Sequence, residues 1–318
     1  MRILVTGGAG FIGSNLVETL LKDERVHIVR VLDNLSTGTM KNLEDFFSDE
    51  RFEWMEGDIR DFETCLKACG GMDAISHQAA LGSVPRSIAD PLTTNAVNIT
   101  GTLNMFTAAK TTGIKRIVYA ASSSTYGDHP ALPKKEENIG KPLSPYAVTK
   151  YVNELYAGVY ASLYDLELIG LRYFNIFGPR QNPQGPYAAV IPLFVKALLE
   201  QKAPVINGDG KHSRDFTYVA NAVNANICAL FTEKKEAINQ VYNIACGEQT
   251  SLLTLFELLK TEAGLDITPD FGVTRKGDVL HSLADISKAK SLLGYTPSVS
   301  VREGLVRTFE WYKSSVEA

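Results

Sequence analysis

Short apolar runs alternate with longer amphipathic stretches through the first half of the chain. The runs have the length of strands, and the stretches between them show the wider apolar spacing of helices. Strands that alternate with helices predict an α/β fold built on a doubly wound parallel sheet, which is a Rossmann-type fold. The predicted strands are 2–6, 26–32, 51–55, 74–77, 115–121 and 167–172, and the clearest predicted helices are 11–21, 92–111 and 146–164.

The amino-acid composition of the sequence changes after Asn175. Residues 177–183 read Phe-Gly-Pro-Arg-Gln-Asn-Pro, and such Gly, Pro and Asn content is typical of loops. We expect a smaller α/β lobe, which binds substrate, to begin there. The expected division is a sheet domain of residues 1–175, to which 215–245 returns, and a substrate lobe of residues 176–214 and 246–318.

Composition narrows the possible partners. The 318 residues carry a formal charge of −4 with interspersed signs, so there is no basic stripe for nucleic acid or an anionic membrane. No apolar run approaches the length of a membrane span, and the first strand begins at the N-terminus, so we expect neither a span nor a signal peptide. The cysteines at 65, 69, 228 and 246 form no paired Cys-x-x-Cys cluster, and the five histidines lack ligand spacing. We expect reduced thiols, no metal and a cytoplasmic location.

The first strand runs into three glycines, Gly7, Gly10 and Gly13, followed by an apolar helix. Gly7 permits a tight turn, Gly10 lets the backbone approach a pyrophosphate, and Gly13 lets the helix pack on its strand. The N-terminus of that helix offers unpaired N–H groups and the positive end of its dipole to phosphates. This spacing predicts a dinucleotide site.

The second strand ends at Asp33, close to the spacing expected of an acid that binds the adenosine ribose. A carboxylate there suits the free 2′-hydroxyl of NAD and repels the additional phosphate of NADP. Residues 34–38 read Asn-Leu-Ser-Thr-Gly and contain no arginine. The sequence therefore predicts NAD rather than NADP.

Tyr146 and Lys150 stand four residues apart at the start of a predicted helix, after Ser144 as a cap and Pro145 in the first turn. Such a spacing places both side chains on one face, where an ammonium lowers the pKa of a phenol. A tyrosine of that kind can take a proton from a sugar or alcohol hydroxyl. The same spacing also occurs on many solvated helices, so it indicates a catalytic pair only together with the upstream dinucleotide site.

Polar motifs follow the predicted strands at the points where they end. Because the carboxyl ends of parallel strands meet at one edge of the sheet, where ligands bind, we expect these motifs to share one site. They are Gly7, Asp33, Asp58, Gln78-Ala79-Ala80, Ser122-Ser123-Ser124 and Asn175.

Taken together, these motifs resemble the extended short-chain dehydrogenase/reductases. Within that family the chain most resembles nucleotide-sugar 4-epimerases, above all bacterial-type UDP-N-acetylglucosamine 4-epimerases, through residues 80–87, 122–133 and 178–192. The resemblance rests on Gly-Gly-Ala-Gly-Phe-Ile-Gly at 7–13, Asp33, the serines before Tyr126-Gly127, the Tyr146 and Lys150 pair, and Leu-Arg-Tyr-Phe-Asn at 171–175.

The resemblance implies a mechanism. NAD removes a hydride from C4 of a UDP-sugar while Tyr146 takes the 4-hydroxyl proton, and the hydride then returns to the other face of the sugar. Lys150 lowers the pKa of the tyrosine and holds the nicotinamide ribose. Ser122 and Ser123 join the catalytic group in this family. It also implies a homodimer, in which helices 92–111 and 146–164 pair with those of a second copy.

The resemblance further assigns residues to ligands. Those expected at the cofactor are Gly7, Gly10, Phe11, Ile12, Gly13, Asp33, Asn34, Ser36, Thr37, Gly38, Asp58, Ile59, Gln78, Ala79, Ala80, Asn98, Tyr146, Lys150 and Tyr173. Those expected at the UDP-sugar are Gly82, Ser83, Ser122, Ser123, Ser124, Asn175, Gln181, Tyr187, Ala189, Val190, Arg214, Arg275, Asp278 and Ser282.

Three positions bear on which reaction and which sugar to expect. Sugar 4,6-dehydratases usually carry an Asp-Glu pair where this chain has Ser123 and Ser124, and serine is no general acid near neutral pH. Ser282 aligns with a bulky tyrosine in epimerases restricted to UDP-glucose and UDP-galactose, so its small side chain leaves room for a 2-acetamido group. The expected activity is interconversion of UDP-N-acetylglucosamine and UDP-N-acetylgalactosamine. Open alternatives are a UDP-glucose/UDP-galactose 4-epimerase, a dehydratase or other net oxidoreductase, and an inactive NAD- or nucleotide-sugar-binding protein.

Overall fold

The computed structural model describes residues 1–184, 188–273 and 281–317, without the side chains of the last two. Within these ranges, seven parallel strands form the central sheet in the order β11-β6-β5-β4-β1-β2-β3. In chain order the strands are β1 (Arg2–Thr6), β2 (Ile28–Asp33), β3 (Phe52–Glu56), β4 (Ala74–His77), β5 (Arg116–Ser122), β6 (Glu167–Tyr173), β7 (Ile176–Phe177), β8 (Val205–Asn207), β9 (Ser213–Arg214), β10 (Thr217–Tyr218), β11 (Val241–Ile244), β12 (Thr250–Ser251) and β13 (Asp270–Gly272).

Helices cover both faces of this sheet. Along β1, Ile3 and Val5 are buried in one apolar cluster and Leu4 in another, because successive side chains of a strand point to opposite faces. The helices are α1 (Phe11–Leu21), α2 (Phe62–Cys69), α3 (Val84–Ala89), α4 (Pro91–Asn95), α5 (Gly101–Thr112), α6 (Pro145–Tyr164), α7 (Val190–Leu199), α8 (Val219–Phe231), α9 (Leu252–Ala263) and α10 (Val301–Glu317). α1 and α8 pack together on the first face, and α2 and α5 on the second. The predicted doubly wound fold is therefore confirmed.

Local signals located several elements closely. Ser144 accepts a hydrogen bond from the backbone N–H of Ala147 at 3.1 Å, so α6 begins at Pro145. The predicted strand 26–32 starts later, at Ile28, because Val26 belongs to a turn in which its N–H bonds to the oxygen of Asp23.

The predicted helix 92–111 is not α-helical throughout. α4 and α5 are joined without a break in the chain by a π-helical turn, Ala96–Thr100. A π turn holds one more residue than an α-helical turn, and such turns often occur at functional sites. This one contains Val97, which lines the cleft described below, and Asn98, which is fully buried.

The second half of the chain adds one strand to the central sheet and forms the small strand pairs outside it, in the region where we expect the substrate lobe. β11 extends the central sheet beside β6, and α8 packs on that sheet. The remaining strands form three small pairs, β7 with β10, β9 with β12 and β8 with β13, near α7, α9 and α10. No helix in the described parts of the chain combines the length and the apolar character that a membrane crossing requires.

Candidate active site

A cleft of about 500 Å³ opens at the carboxyl ends of β1, β2, β4, β5 and β6. Most of the residues that the sequence assigned to cofactor or substrate line it, so the polar strand ends do meet. They are Gly7, Gly10, Phe11, Ile12, Gly13, Asp33, Asn34, Ser36, Thr37, Asp58, Ile59, Gln78, Ala79, Ala80, Gly82, Ser83, Ser122, Ser123, Tyr146, Lys150, Tyr173, Asn175 and Gln181.

The glycine turn has no space for side chains. Gly7 has a φ of +69°, and a Cβ on it would lie 2.6 Å from the backbone nitrogen of Ala79. A Cβ on Gly13 would lie 2.1 Å from the oxygen of Gly7, where α1 crosses the turn. Gly10 precedes α1, and no side chain caps that helix. The N–H groups of its first turn therefore face the cleft as a phosphate-binding cradle, which fits the pyrophosphate of a dinucleotide.

Asp33, the acid predicted to bind the adenosine ribose, ends β2 and lines the cleft. Its carboxylate accepts hydrogen bonds from the backbone N–H groups of Ala9 and Leu35, at 3.0 and 2.8 Å. Burial nevertheless raises the pKa of Asp33, because the N–H bonds only partly offset the loss of water. Each carboxylate oxygen retains a lone pair for a ribose hydroxyl.

Asp58, which is predicted to lie at the cofactor, lines the same cleft. It pairs with Arg60 at 2.7 Å and accepts a hydrogen bond from Asn34 at 2.8 Å. The Arg60 guanidinium holds the pKa of Asp58 down to about 2, so this carboxylate is ionised at neutral pH. The two acids of the cleft thus have different roles: Asp33 is buried and bound by backbone, while Asp58 is anchored by a cation.

Tyr146, Lys150 and Ser122 converge on the other end of the cleft. Burial raises the pKa of the Tyr146 phenol, and the nearby hydroxyl of Ser122 lowers it by less. Lys150 is 4% exposed, and its ammonium donates to the backbone oxygen of Ala120 at 2.7 Å. Burial lowers the pKa of Lys150 to about 8.

This geometry corrects one prediction. The sequence predicts that Lys150 lowers the pKa of Tyr146, but in the structure the pKa of Tyr146 lies above its ordinary value and the group that lowers it is Ser122. The physical reason is that the ammonium is directed at Ala120 on β5. Lys150 is buried and Tyr146 is half-buried, and loss of water disfavours the charged form of each.

Ser122 also organises the turn that follows it. It caps the 3₁₀ turn Ser123–Tyr126 by accepting from the N–H of Ser124 at 3.2 Å, and the Ser124 hydroxyl donates to it at 2.9 Å. Ser124 is therefore bound to Ser122 and is not among the residues that line the cleft. The turn presents hydroxyls and no carboxylate to the cleft.

A buried amide that the sequence analysis missed holds the floor of the cleft. Asn226 of α8 donates to the Tyr173 hydroxyl at 2.7 Å, and that hydroxyl donates to the side-chain oxygen of Gln78 at 3.0 Å. Gln78 returns a bond to the oxygen of Asn226 at 3.0 Å and another to Ser76. Burial raises the pKa of Tyr173 to about 12, so it stays neutral. The sequence analysis missed Asn226 because it lies 148 residues from Gln78 and 53 residues from Tyr173 in the chain.

Other predicted ligands lie away from the cleft wall. Asn98 is fully buried and binds both backbone atoms of Leu81 and the hydroxyl of Thr149, so it supports the cleft from behind. Gly38 packs against Ala9, where a Cβ would lie 2.6 Å from backbone. Neither residue lines the cleft, and their assignment to the cofactor stays a prediction.

Several predicted sugar-nucleotide residues belong to the lobe. Arg214 donates to the oxygen of Ser213, and the Ser282 hydroxyl accepts from the N–H of Asp215 at 3.4 Å. Ala189 precedes α7, which begins at Val190. Among the described residues, none of these four predicted positions lines the cleft. Tyr187, Arg275 and Asp278 lie outside the described residues.

Asp215 connects the lobe to the cleft, a role that its sequence context does not indicate. It is fully buried and accepts from the N–H groups of Cys246, Gly247 and Ala284 at 3.0, 3.1 and 3.1 Å. Its own backbone oxygen accepts from Asn175, which lines the cleft. Burial raises the pKa of Asp215 to about 7 in spite of these bonds.

Among the described residues, neither the cysteines nor possible metal ligands form a second reactive site. Cys65 and Cys69 are buried in α2, and burial raises the pKa of each to about 12, which makes these thiols inert. In the part of the chain that the structure describes, no cluster of three His, Cys, Asp or Glu side chains could hold a metal ion.

Comparison with known proteins agrees with this site. The sequence profile of the NAD dependent epimerase/dehydratase family matches residues 3–245. The UDP-glucose 4-epimerase of Mycolicibacterium smegmatis is 38% identical over 316 residues, which cover 99% of each chain. A UDP-N-acetylglucosamine 4-epimerase from Methanobrevibacter ruminantium M1, in complex with UDP-N-acetylmuramic acid, is 40% identical with a TM-score of 0.93 and covers 99% of this chain and 98% of its own. A Thermus thermophilus UDP-glucose 4-epimerase in complex with NAD is 33% identical with a TM-score of 0.88, covering 99% and 100%.

Proposed function

The chain belongs to the NAD dependent epimerase/dehydratase family, and we propose that it is a UDP-sugar 4-epimerase whose preferred pair is UDP-N-acetylglucosamine and UDP-N-acetylgalactosamine. One observation carries the epimerase chemistry. Tyr146, Lys150 and Ser122 meet beside the glycine cradle, and the serine turn offers no carboxylate. Elimination of water needs a general acid and base near the sugar, and the residues at 123 and 124 are serines.

In the proposed mechanism the protein moves one proton out and back. Tyr146 takes the proton of the 4-hydroxyl and returns it when the 4-keto sugar is reduced on its other face. The Ser122 hydroxyl beside the phenol favours the phenolate, and the Lys150 cation lies on the same helix face. When bound, NAD supplies the acceptor and donor of hydride at C4. The glycine cradle and Asp33 would hold it, and because no net redox change occurs it needs no exchange between turnovers.

The proposed preference for acetamido sugars rests on the residues at the cleft, on Ser282 and on the names of relatives. Gly82, Ser83 and Gln181, which are predicted to bind the sugar nucleotide, line the cleft, and the first two are small residues. Ser282 is small and packs beside Asp215 in the lobe. The Methanobrevibacter relative acts, by its name, on UDP-N-acetylglucosamine, whereas the Mycolicibacterium relative is named for UDP-glucose. Conversion of UDP-glucose and UDP-galactose is therefore the second candidate.

NMR of the products separates these candidates. The purified protein is incubated without added NAD with UDP-N-acetylglucosamine, and in parallel with UDP-glucose. Conversion of the first into its C4 epimer at the higher kcat/KM supports the proposal, and conversion of UDP-glucose alone overturns the sugar preference. A 4-keto-6-deoxy product would show a dehydratase, and no reaction with any UDP-sugar would contradict the function itself.

A matched pair of variants tests the sugar gate. Ser282 does not line the cleft itself, so the proposed gate requires that a larger side chain at this position reach the sugar. On that proposal, Ser282→Tyr is expected to lower kcat/KM for the acetamido sugars about tenfold more than for the plain hexoses, since a change of one small group in a substrate pocket is worth roughly 1–3 kcal/mol. Ser291→Tyr, at an exposed position, is the control. Equal losses on both classes of sugar would remove Ser282 from the gate.

We also propose a homodimer. Leu155, Val159 and Leu163 lie four residues apart on α6 and are 54%, 50% and 65% exposed, and Leu92 of the adjoining α4 is 82% exposed. An apolar face of this kind fits pairing of the two helices with those of a second copy. Leu155→Glu/Leu163→Glu should give a monomer in light scattering. Phe271→Glu, at an apolar residue that is 59% exposed in β13, should leave the mass unchanged.

A further inference from the structure

A third ionisable residue continues the face of α6 that carries Tyr146 and Lys150. Tyr146, Lys150 and Glu154 follow at intervals of four residues, so they lie one above the other. The Glu154 carboxylate accepts two hydrogen bonds from Arg172 of β6, from Nε to Oε1 at 2.9 Å and from Nη2 to Oε2 at 2.7 Å. The side chains are only 6% and 3% exposed. This is a buried, bidentate ion pair.

Arg172 also contacts Tyr126, in the turn that follows Ser122. Its Nη1 donates to the backbone oxygen of Glu136 at 2.9 Å, and its guanidinium carbon lies 4.8 Å from the centre of the Tyr126 ring. Tyr126 is the last residue of the 3₁₀ turn that Ser122 caps. Its hydroxyl donates to Asn243 of β11 at 2.6 Å. Through Arg172, the helix of Tyr146 is thus connected to the turn of Ser122.

The energetics of such a pair argue for a purpose beyond stability. Taking two charges out of water costs several kcal/mol per ion, and apolar residues of similar volume often give an equally or more stable protein. A pair that is kept in spite of this cost can specify geometry or charge. Here it lies one helical turn from Lys150, whose ammonium is itself buried.

The ionisable groups around Lys150 come from three elements. Tyr146 and Glu154 share its helix, Arg172 projects from β6, and His77 projects from β4. His77 is neutral because burial lowers its pKa to about 3. Burial lowers the pKa of Lys150 as well, and the Glu154 carboxylate opposes that effect. Glu154 is therefore the negative charge that favours the Lys150 cation.

We propose that Glu154 and Arg172 are positioning residues of the epimerisation site, which hold the Tyr146 helix against the Ser122 turn and keep Lys150 charged. The role as stated rests on the proposed function, but the state of Lys150 can be measured without turnover. A second ion pair provides the control. Arg116 and Glu167 join the neighbouring strands β5 and β6 at 2.6 Å, at the strand ends opposite the cleft.

The test compares Glu154→Gln with Glu167→Gln in protein labelled with ¹³C at lysine Cε, the Lys150 signal being assigned with Lys150→Arg. Glu154→Gln should lower the Lys150 pKa by about one unit, lower kcat roughly tenfold to a hundredfold with KM within about twofold, and move the alkaline limb of kcat to lower pH. Glu167→Gln should change none of these.

A double variant guards against misfolding, because Glu154→Gln leaves a buried guanidinium with one neutral partner. Glu154→Leu/Arg172→Met removes both charges, and we expect a melting temperature at or above that of the wild type together with the same fall in kcat and Lys150 pKa. Wild-type kcat and Lys150 pKa in this variant would overturn the proposal. If the wild type epimerised no UDP-sugar, the proposed function would fail while the Lys150 titration still decided the role of the pair.

Discussion

The Lys150 ammonium donates its hydrogen bond to the backbone oxygen of Ala120, two residues before Ser122 on the same strand. The bond ties the helix that carries the candidate base to the strand that carries the serine. It leaves the phenol of Tyr146 with Ser122 as the neighbour that stabilises its anion. The three side chains thus act as one assembly in which the backbone of β5 is the common support.

Tyr146→Phe should reduce kcat by about 10²–10⁴-fold, the usual worth of a general acid or base, and leave the fold and bound NAD intact. Epimer formation followed by NMR, with NAD content from absorbance, measures both. Tyr151→Phe on the same helix should retain wild-type turnover. A Tyr146→Phe enzyme within threefold of the wild type would remove Tyr146 as the base.

Ser122→Ala should move the acid limb of the kcat profile to higher pH. The serine hydroxyl lowers the pKa of Tyr146, so its loss raises that pKa further, and the phenolate then forms only at higher pH. The measurement is kcat across the pH range in which the protein stays folded. Ser162→Ala, on the exposed side of α6, is the control, and an unmoved limb in Ser122→Ala would contradict this role.

Asp33→Ser should weaken NAD binding and raise the affinity for NADP relative to NAD. The carboxylate is placed to accept ribose hydroxyls and repels a 2′-phosphate, while serine does neither. Fluorescence titration of cofactor-stripped protein with both dinucleotides gives the ratio. Asp270→Ser, at an exposed position in the lobe, should leave the ratio unchanged; the same result for Asp33→Ser would refute the assignment.

His77 should make the protein sensitive to acid. Its ring accepts from Thr6 at Nδ1 and donates from Nε2 to Thr102, since Thr6 accepts from Ala79 N–H and Thr102 donates to the oxygen of Asn98. That network holds the neutral ring, and burial lowers the pKa from 6.5 to about 3. Below pH 6.5 the unfolded chain binds a proton that the folded chain does not, so stability falls as the pH drops from 6.5 toward about 3.

Thermal melts across that pH range test the effect. His77→Gln should give a flatter dependence of melting temperature on pH, even though it loses part of the network. His27→Gln, at an exposed position, should keep the wild-type slope. A wild-type slope in His77→Gln would show that other groups cause the acid sensitivity.

Asp215→Asn should destabilise the fold by about 1–3 kcal/mol. Its oxygens accept three backbone N–H groups, and an amide must turn its own N–H₂ toward at least one of them. Urea unfolding gives the difference in free energy. Asp209→Asn, at an exposed position, should stay within about 0.5 kcal/mol of the wild type, and an equal result for Asp215→Asn would exclude the role of its carboxylate.

Local patterns predicted the parts of the site that local chemistry determines. The glycine turn, the Ser144 cap and the start of α6 depend on residues within a few positions of one another. The parallel order of the strands then brought their polar ends together, as the fold class implies.

Long-range contacts and desolvation account for what the sequence could not show. Asp215 binds groups 31 to 69 residues away, and Arg172 reaches Glu154 from a different element. The raised pKa of Tyr146 follows from burial, which spacing on a helix does not reveal. Asn98 points inward to Leu81 from within a π turn, a feature without a pattern of its own.

That π turn, Ala96–Thr100, has an effect on how the surface can change. One additional residue in a turn rotates everything before it by about 100° relative to everything after it. α5 therefore buries Met105 and Phe106, while α4 holds Leu92 outward. A single continuous helix can in this way keep its inner half packed in the core while its outer half can change to suit new neighbours.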